Sequence, residues 1–152
     1  MFLLNTVTNE KVECFTSEVL KGDLLLIRKH FSFDWKSEIS KSDTFKLITL
    51  SGNFIHGLIS IRPKDDCLEL RLIESADINL GKKKLYDRVA GNLIAYAAKV
   101  AIENFEGYMM TISKTAIIEH YCSSYGFVQI GSSQLLISHP HNSKKLVDLY
   151  YE

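Results

Sequence analysis

Ile73-Glu74-Ser75-Ala76-Asp77-Ile78-Asn79-Leu80-Gly81-Lys82-Lys83-Lys84-Leu85-Tyr86-Asp87-Arg88-Val89-Ala90-Gly91-Asn92-Leu93 is the stretch that decides how this chain folds. It joins a strand pattern to a helical one. Upstream, Leu68, Leu70 and Leu72 alternate with Glu69, Arg71 and Ile73, which predicts a strand with one polar face near its start. Downstream, Val89, Leu93, Ala97, Val100 and Ala101 recur at three- and four-residue spacing, the period of a helix. A helix start exposes unpaired N–H groups and the positive end of its dipole. A glycine-containing loop placed there can wrap a diphosphate. Gly81, Lys82, Lys83, Lys84, Arg88, Ala90 and Gly91 supply the flexibility and positive charge such a ligand needs. On residue types alone, a run of charges like this is more often a solvated loop.

The strand candidates next to this segment form a series. Phe45-Lys46-Leu47-Ile48-Thr49-Leu50 predicts a strand, Ser51-Gly52-Asn53 a turn, and residues 54–62 the returning strand of a hairpin. Pro63-Lys64-Asp65-Asp66 predicts a second turn into the strand over 67–75, giving an antiparallel meander. Past the long helix, Gly107 is a stop and Tyr108-Met109-Met110-Thr111-Ile112 a short strand. Ser113 or Thr115 is placed to cap a second helix, with Ile117, Ile118, Tyr121, Cys122 and Tyr125 on one face and Gly126 as its end. Residues 127–130 and 134–138 predict two closing strands, and 144–151 a terminal helix. The first third is less regular. Residues 2–15 fit a strand or hairpin around Thr8-Asn9-Glu10, and the Leu24-Leu25-Leu26-Ile27 run fits a short helix or a buried strand alike. This order predicts an α/β (α+β) fold, a mixed sheet with helices packed on it.

The 152 residues fit a single domain, 1–152, around one core. Hydrophobic residues at 46% and charged ones at 24% give a globular balance, which excludes a disordered chain. Eighteen Lys and Arg face eighteen Asp and Glu. A protein built mainly to bind nucleic acid carries a positive excess, so no nucleic-acid partner is expected. Cys14, Cys67 and Cys122 are scattered without a CxxC pair, which argues for a reduced compartment. The opening apolar run is too short for a signal peptide, and no segment approaches the ~20 residues of a membrane span. The expected location is cytoplasmic, with no membrane partner. His139-Pro140-His141 has no Cys or acidic companions and reads as an exposed loop, so no metal is expected. Cys122 has no matched His/Asn pair for a nucleophile's role, and neither GxSxG nor GxxxxGK[ST] occurs.

Ile73-Glu74-Ser75-Ala76, Asn79, Gly81-Lys82, Lys84, Tyr86, Val89 and Gly91-Asn92-Leu93 resemble the central motif of a bacterial subgroup of uncharacterised GNAT-like proteins, within the acyl-CoA-dependent N-acetyltransferase superfamily. Lys114-Thr115, Ile118-Glu119-His120-Tyr121, Gly126 and Phe33-Asp34-Trp35 extend the likeness over most of the chain. The resemblance implies a GNAT-like mixed, splayed central sheet flanked by helices, binding acetyl-CoA as co-substrate between its two central strands. It implies that Ser75, Ala76, Lys82, Lys84, Tyr86, Arg88, Val89, Ala90, Gly91 and Asn92 contact that co-substrate. The superfamily's loop reads Arg/Gln-x-x-Gly-x-Gly/Ala. Here Leu85 stands at its polar first position, Arg88 at its first glycine, and Ala90 fits. In the usual pattern an aromatic residue precedes the helix-ending glycine by four positions. Here Cys122 stands there and Tyr121 lies one residue earlier, a rotation of ~100° on a helix.

What the resemblance implies for chemistry is transfer of an acetyl group to a primary amine, on a small molecule or a peptide, by direct attack. Glu74 is the expected base, directly or through water. The bland alternative is a strand-end carboxylate held by Lys or backbone. Glu69 is a second candidate, or part of an exposed polar face. Tyr121 is the expected acid towards the leaving thiolate, or a core aromatic. The competing expectation for the whole chain is a non-catalytic GNAT-fold module that binds a CoA- or nucleotide-like ligand or a protein partner.

Overall fold

The structure is a computed structural model that describes residues 1–151. Nine strands and five α-helices follow in the order β1 (Phe2–Asn5), β2 (Lys11–Glu18), α1 (Leu24–His30), α2 (Trp35–Ile39), β3 (Asp43–Thr49), β4 (Gly57–Lys64), β5 (Cys67–Ser75), β6 (Tyr86–Asp87), α3 (Val89–Asn104), β7 (Met109–Ile112), α4 (Ile118–Tyr125), β8 (Val128–Gln129), β9 (Leu135–Ser138) and α5 (Pro140–Tyr150). The strands form one mixed sheet in the order β6-β1-β2-β3-β4-β5-β7-β9-β8. The chain divides into two compact units, residues 1–60 with 72–93, and residues 61–71 with 94 onward.

The first unit begins with a hairpin. Asn9 turns β1 back onto β2 with a φ of 60°, a conformation Asn tolerates better than most residues. The Leu24–Ile27 run is helical, and only Ile27 of α1 is buried. Leu25 is 73% exposed, which is why this apolar run shows no strand or helix period. Ile27 joins Trp35, Ile55 and Leu58 in a core cluster that Phe31, Ile48 and Leu72 flank. Asp34 caps α2, accepting from the Ser37 amide at 3.1 Å.

The second unit is built on β7 and β9, paired antiparallel from Met109↔Ser138 to Ile112↔Leu135. β5 joins it in parallel at Leu68↔Met109, Glu69↔Met110 and Leu70↔Thr111. The α3 residues Ile94, Ala95, Ala97, Ala98 and Ala101 are all at most 1% exposed, as expected of a helix apolar on nearly every side. Gly126 ends α4 in the left-handed region, φ 72°, where an added Cβ would collide with the Asn142 carboxamide.

Several boundaries differ from the sequence expectation. β4 runs through Pro63 to Lys64, leaving only Asp65-Asp66 as the turn, with Asp65 at φ 54°. Neither Ser113 nor Thr115 caps α4. The Ser113 hydroxyl donates to the Lys114 carbonyl, Thr115 Oγ1 accepts from Gln134, and a 3-10 turn over Thr115–Ile117 leads in instead. α5 starts four residues earlier than expected, at Pro140, whose missing N–H costs nothing at a first helical position. The His139-Pro140-His141 loop is therefore a helix start.

Candidate functional site at the end of β5

In a regular strand, residues two apart direct their N–H groups to the same edge. In β5 they do not. The Leu68 amide donates to Tyr108 O (3.0 Å), just before β7, whereas the Leu72 amide donates to Ser60 Oγ (3.1 Å) on β4. Ala76, just past the strand, again donates towards β4, to His56 O (2.9 Å). The change of edge requires one extra residue between Leu68 and Leu72, a β-bulge. Beyond it, Ile73 and Ser75 direct their N–H groups to the edge away from β4. The parallel register has ended at Leu70, so β5 continues to Ser75 with that edge outside the β7 ladder.

Glu74 sits beside these amides. Its carboxylate accepts from the Ser32 amide (2.8 Å), the Ser32 hydroxyl (2.8 Å), the Phe33 amide (3.1 Å) and the Trp35 indole N–H (2.8 Å). A carboxylate has about four lone-pair sites, and all are in use. Taking up a proton requires giving up one of these donors, so this geometry is that of an anchor. It ties the strand end to the α1–α2 connection, and Phe33-Asp34-Trp35 meets Ile73-Glu74-Ser75-Ala76 through it.

After Ser75 the chain passes through a short 3-10 turn, Asp77–Asn79, to the lysine loop and α3. The first bond of the α3 ladder runs from Asn92 N to Arg88 O (3.0 Å), so the amides of Val89, Ala90 and Gly91 precede it. Arg88 holds a φ of 77°, the left-handed conformation its motif assigns to glycine. Its guanidinium lies over the Phe2 ring at 3.9 Å, and Nε donates to Phe2 O at 3.3 Å. Asn92 is fully buried, and its Nδ2 donates to the same carbonyl at 2.9 Å. Lys84 pairs with Asp87 at 3.1 Å. Burial works to raise the Asp87 carboxyl, but Lys84 and Arg88 together hold it below the usual range. The Tyr86 ring packs edge-on against His56 at 5.0 Å. Gly81, Lys82 and Lys83 are exposed.

No family model matches the chain, and no curated protein does. Solved structures do. The Bacillus subtilis N-acetyltransferase YlbP, in complex with coenzyme A, superposes with a TM-score of 0.60 at 15% identity, over 85% of this chain and 98% of that one. A GNAT-family acetyltransferase from Listeria monocytogenes gives 0.54 at 17% identity, over 84% and 95%. The KacTA–DNA complex gives 0.59 at 11% identity, over 90% and 99%. The chain has the GNAT fold. Identities this low establish the fold and nothing finer.

Within this GNAT fold, the remaining sequence candidates divide by surroundings. Glu69 is buried (5% exposed) among Arg62 Nε (2.6 Å), Lys64 Nζ (3.7 Å) and Arg71 NH1 (3.8 Å). The exposed polar face expected there is instead a buried carboxylate ringed by partly exposed cations. Tyr121 is 8% exposed and packs edge-on against Phe127 at 5.4 Å. Burial pushes its phenol above the usual range, and its hydroxyl makes no hydrogen bond among the described residues. Cys122 is half-buried.

Two features of the first unit had no sequence signal. A cavity of about 470 Å³ between α1 and α2 is lined by apolar Leu24, Ile27, Phe31 and Trp35 together with the polar Arg28 and Asp34. In the second, His30 Nδ1 lies 2.8 Å from Asp77 Oδ1, an oxygen that also accepts from the Ile78 amide at 2.8 Å. Forty-seven positions separate that pair, and nothing local to either residue announces it.

Proposed function

We propose that this protein is an acetyl-CoA-dependent N-acetyltransferase that acts on a primary amine by direct attack. The observation that carries the reading is the junction of the bulged β5 with the start of α3. Ile73 and Ser75 offer amides on an edge outside the ladder, which suits a polarised thioester carbonyl. A few residues on, the first-turn amides of α3 with Ala90, Gly91 and exposed Lys82 suit a diphosphate. Arg88 also fits, because it keeps the glycine-like backbone while its guanidinium is turned onto Phe2. Ser75, Ala76, Lys82, Lys84, Tyr86 and Val89 would line the same path, and the buried Asn92 would support it from behind. Glu74 serves this reading as the anchor of the acceptor-side segment, with any proton relay from it running through water. Tyr121 is assigned the proton that the departing thiolate takes up.

Two experiments test the assignment. Gly91→Asp puts a negative charge at the first turn of α3, and the expected result is loss of acetyl-CoA binding by calorimetry, with Lys82→Gln weakening it more gently. Tyr121→Phe removes only the hydroxyl. A catalytic role predicts a rate loss of roughly 10²-fold with stability unchanged, since that hydroxyl has no protein partner to lose. An unchanged rate removes Tyr121 from the mechanism.

The second reading is a non-catalytic module on the same fold. Its supporting observation is that Arg88 and Lys84, two of the cations suited to a diphosphate, already meet Phe2 and Asp87. Acetyl-CoA binding without transfer to any amine would favour it.

A further inference from the structure

Four donors hold Glu74, so the amine's proton needs another acceptor. We propose that His30, oriented by Asp77, accepts the proton of an amine with a small apolar body. This inference rests on the acetyltransferase reading and deepens it.

The dyad has the parts of a positioned base. Asp77 Oδ1 is fixed by the Ile78 amide and receives His30 Nδ1–H, which leaves the lone pair on Nε2. Nε2 makes no hydrogen bond among the described residues. The imidazole stands edge-on to Phe54 at 4.9 Å and keeps 31% of its side chain exposed. It borders a cavity of about 240 Å³ whose other walls are Leu26, Asn53, Phe54 and Ile55. Asp77 faces the ring from the turn after β5, Phe54 with His56 behind it faces from the β3–β4 connection, and Arg28 and Lys29 precede it on α1. Walls this apolar suit an alkyl or aryl body with one amino group. In the step, Nε2 takes one proton from the ammonium. The freed lone pair forms the N–C bond to the acetyl carbonyl carbon, the C–S bond of acetyl-CoA breaks, and the second nitrogen proton goes to the thiolate. The imidazolium passes its proton to water.

The test uses the full chain with benzylamine, phenethylamine and hexylamine as probes. Added without acetyl-CoA, they are expected to shift the ¹⁵N resonance of His30 Nε2. With acetyl-CoA, thiol release by the wild type is expected to rise with pH to a plateau. His30→Gln lowers the rate at pH 7 by ~10²-fold and leaves a profile that rises throughout, with calorimetric affinity for acetyl-CoA unchanged. Asp77→Asn, which leaves the imidazole in place, gives a smaller loss. Should the probes leave Nε2 unmoved, or His30→Gln keep the wild-type rate and profile, the proposal is overturned. It is also overturned if the wild type binds acetyl-CoA yet acetylates none of the three probes, and the acetyltransferase reading then survives it. No binding of acetyl-CoA by the wild type defeats that reading first and the proposal with it.

Discussion

Glu74 shows how much one side chain can fix. Hydrogen bonds to a charged acceptor are worth about 1.5–3 kcal/mol each, and this one collects four donors. Glu74→Gln replaces one acceptor oxygen with a donor that faces other donors. Chemical denaturation is expected to show a loss of roughly 2–3 kcal/mol, and a variant as stable as the wild type would refute the anchor. Arg88 tests backbone strain at the same scale. Arg88→Ala removes the contact with Phe2 but keeps a side chain at φ 77°, while Arg88→Gly removes both. The glycine variant is expected to be the more stable of the two by about 1 kcal/mol. His56 adds a pH dependence. Burial lowers its pKa from 6.5 to about 4. The unfolded chain therefore binds a proton between those values that the folded chain refuses. This contribution is intact above pH 6.5 and is lost as the pH falls towards 4, by about 3 kcal/mol in all. His56→Gln is expected to flatten that stretch of the stability profile, and an unchanged slope would assign it elsewhere.

At the scale of elements, close approach decides the junction. Gly57 opens β4, and a Cβ there would stand 2.5 Å from Val89 Cγ1 and 2.8 Å from Leu93 Cδ1. Gly57→Ala forces the Val89 and Leu93 side chains to give way, at an expected cost of about 1–3 kcal/mol by thermal melting. A neutral result would contradict this close packing. The elements themselves were legible where their periods were clean. The β3–β4–β5 series and α3 follow the sequence pattern, and α3 begins at Val89, one residue past Arg88. Local residues also account for the lysine loop and the Gly126 stop. The bulge was not legible, because Leu68, Leu70 and Leu72 alternate as if β5 were regular. The Glu74–Trp35 and His30–Asp77 contacts were not legible either, since they span 39 and 47 positions and leave no period. α1 was ambiguous because its exposed leucines outnumber its one buried residue.

For the whole molecule, the charge balance and the fold bear on different claims. The formal net charge of zero sets no bias towards nucleic acid, although the fold is shared with a DNA-bound KacTA complex. Among the described residues no helix is long and apolar enough to cross a membrane. The chain has the GNAT fold, and in the proposed function its β5–α3 junction holds acetyl-CoA. Calorimetric titration of the wild type and Gly91→Asp with acetyl-CoA tests that role of the junction. Saturable binding at one site per chain is expected in the wild type, and its loss in Gly91→Asp. No heat from the wild type up to about 1 mM, or equal binding by both proteins, would contradict it.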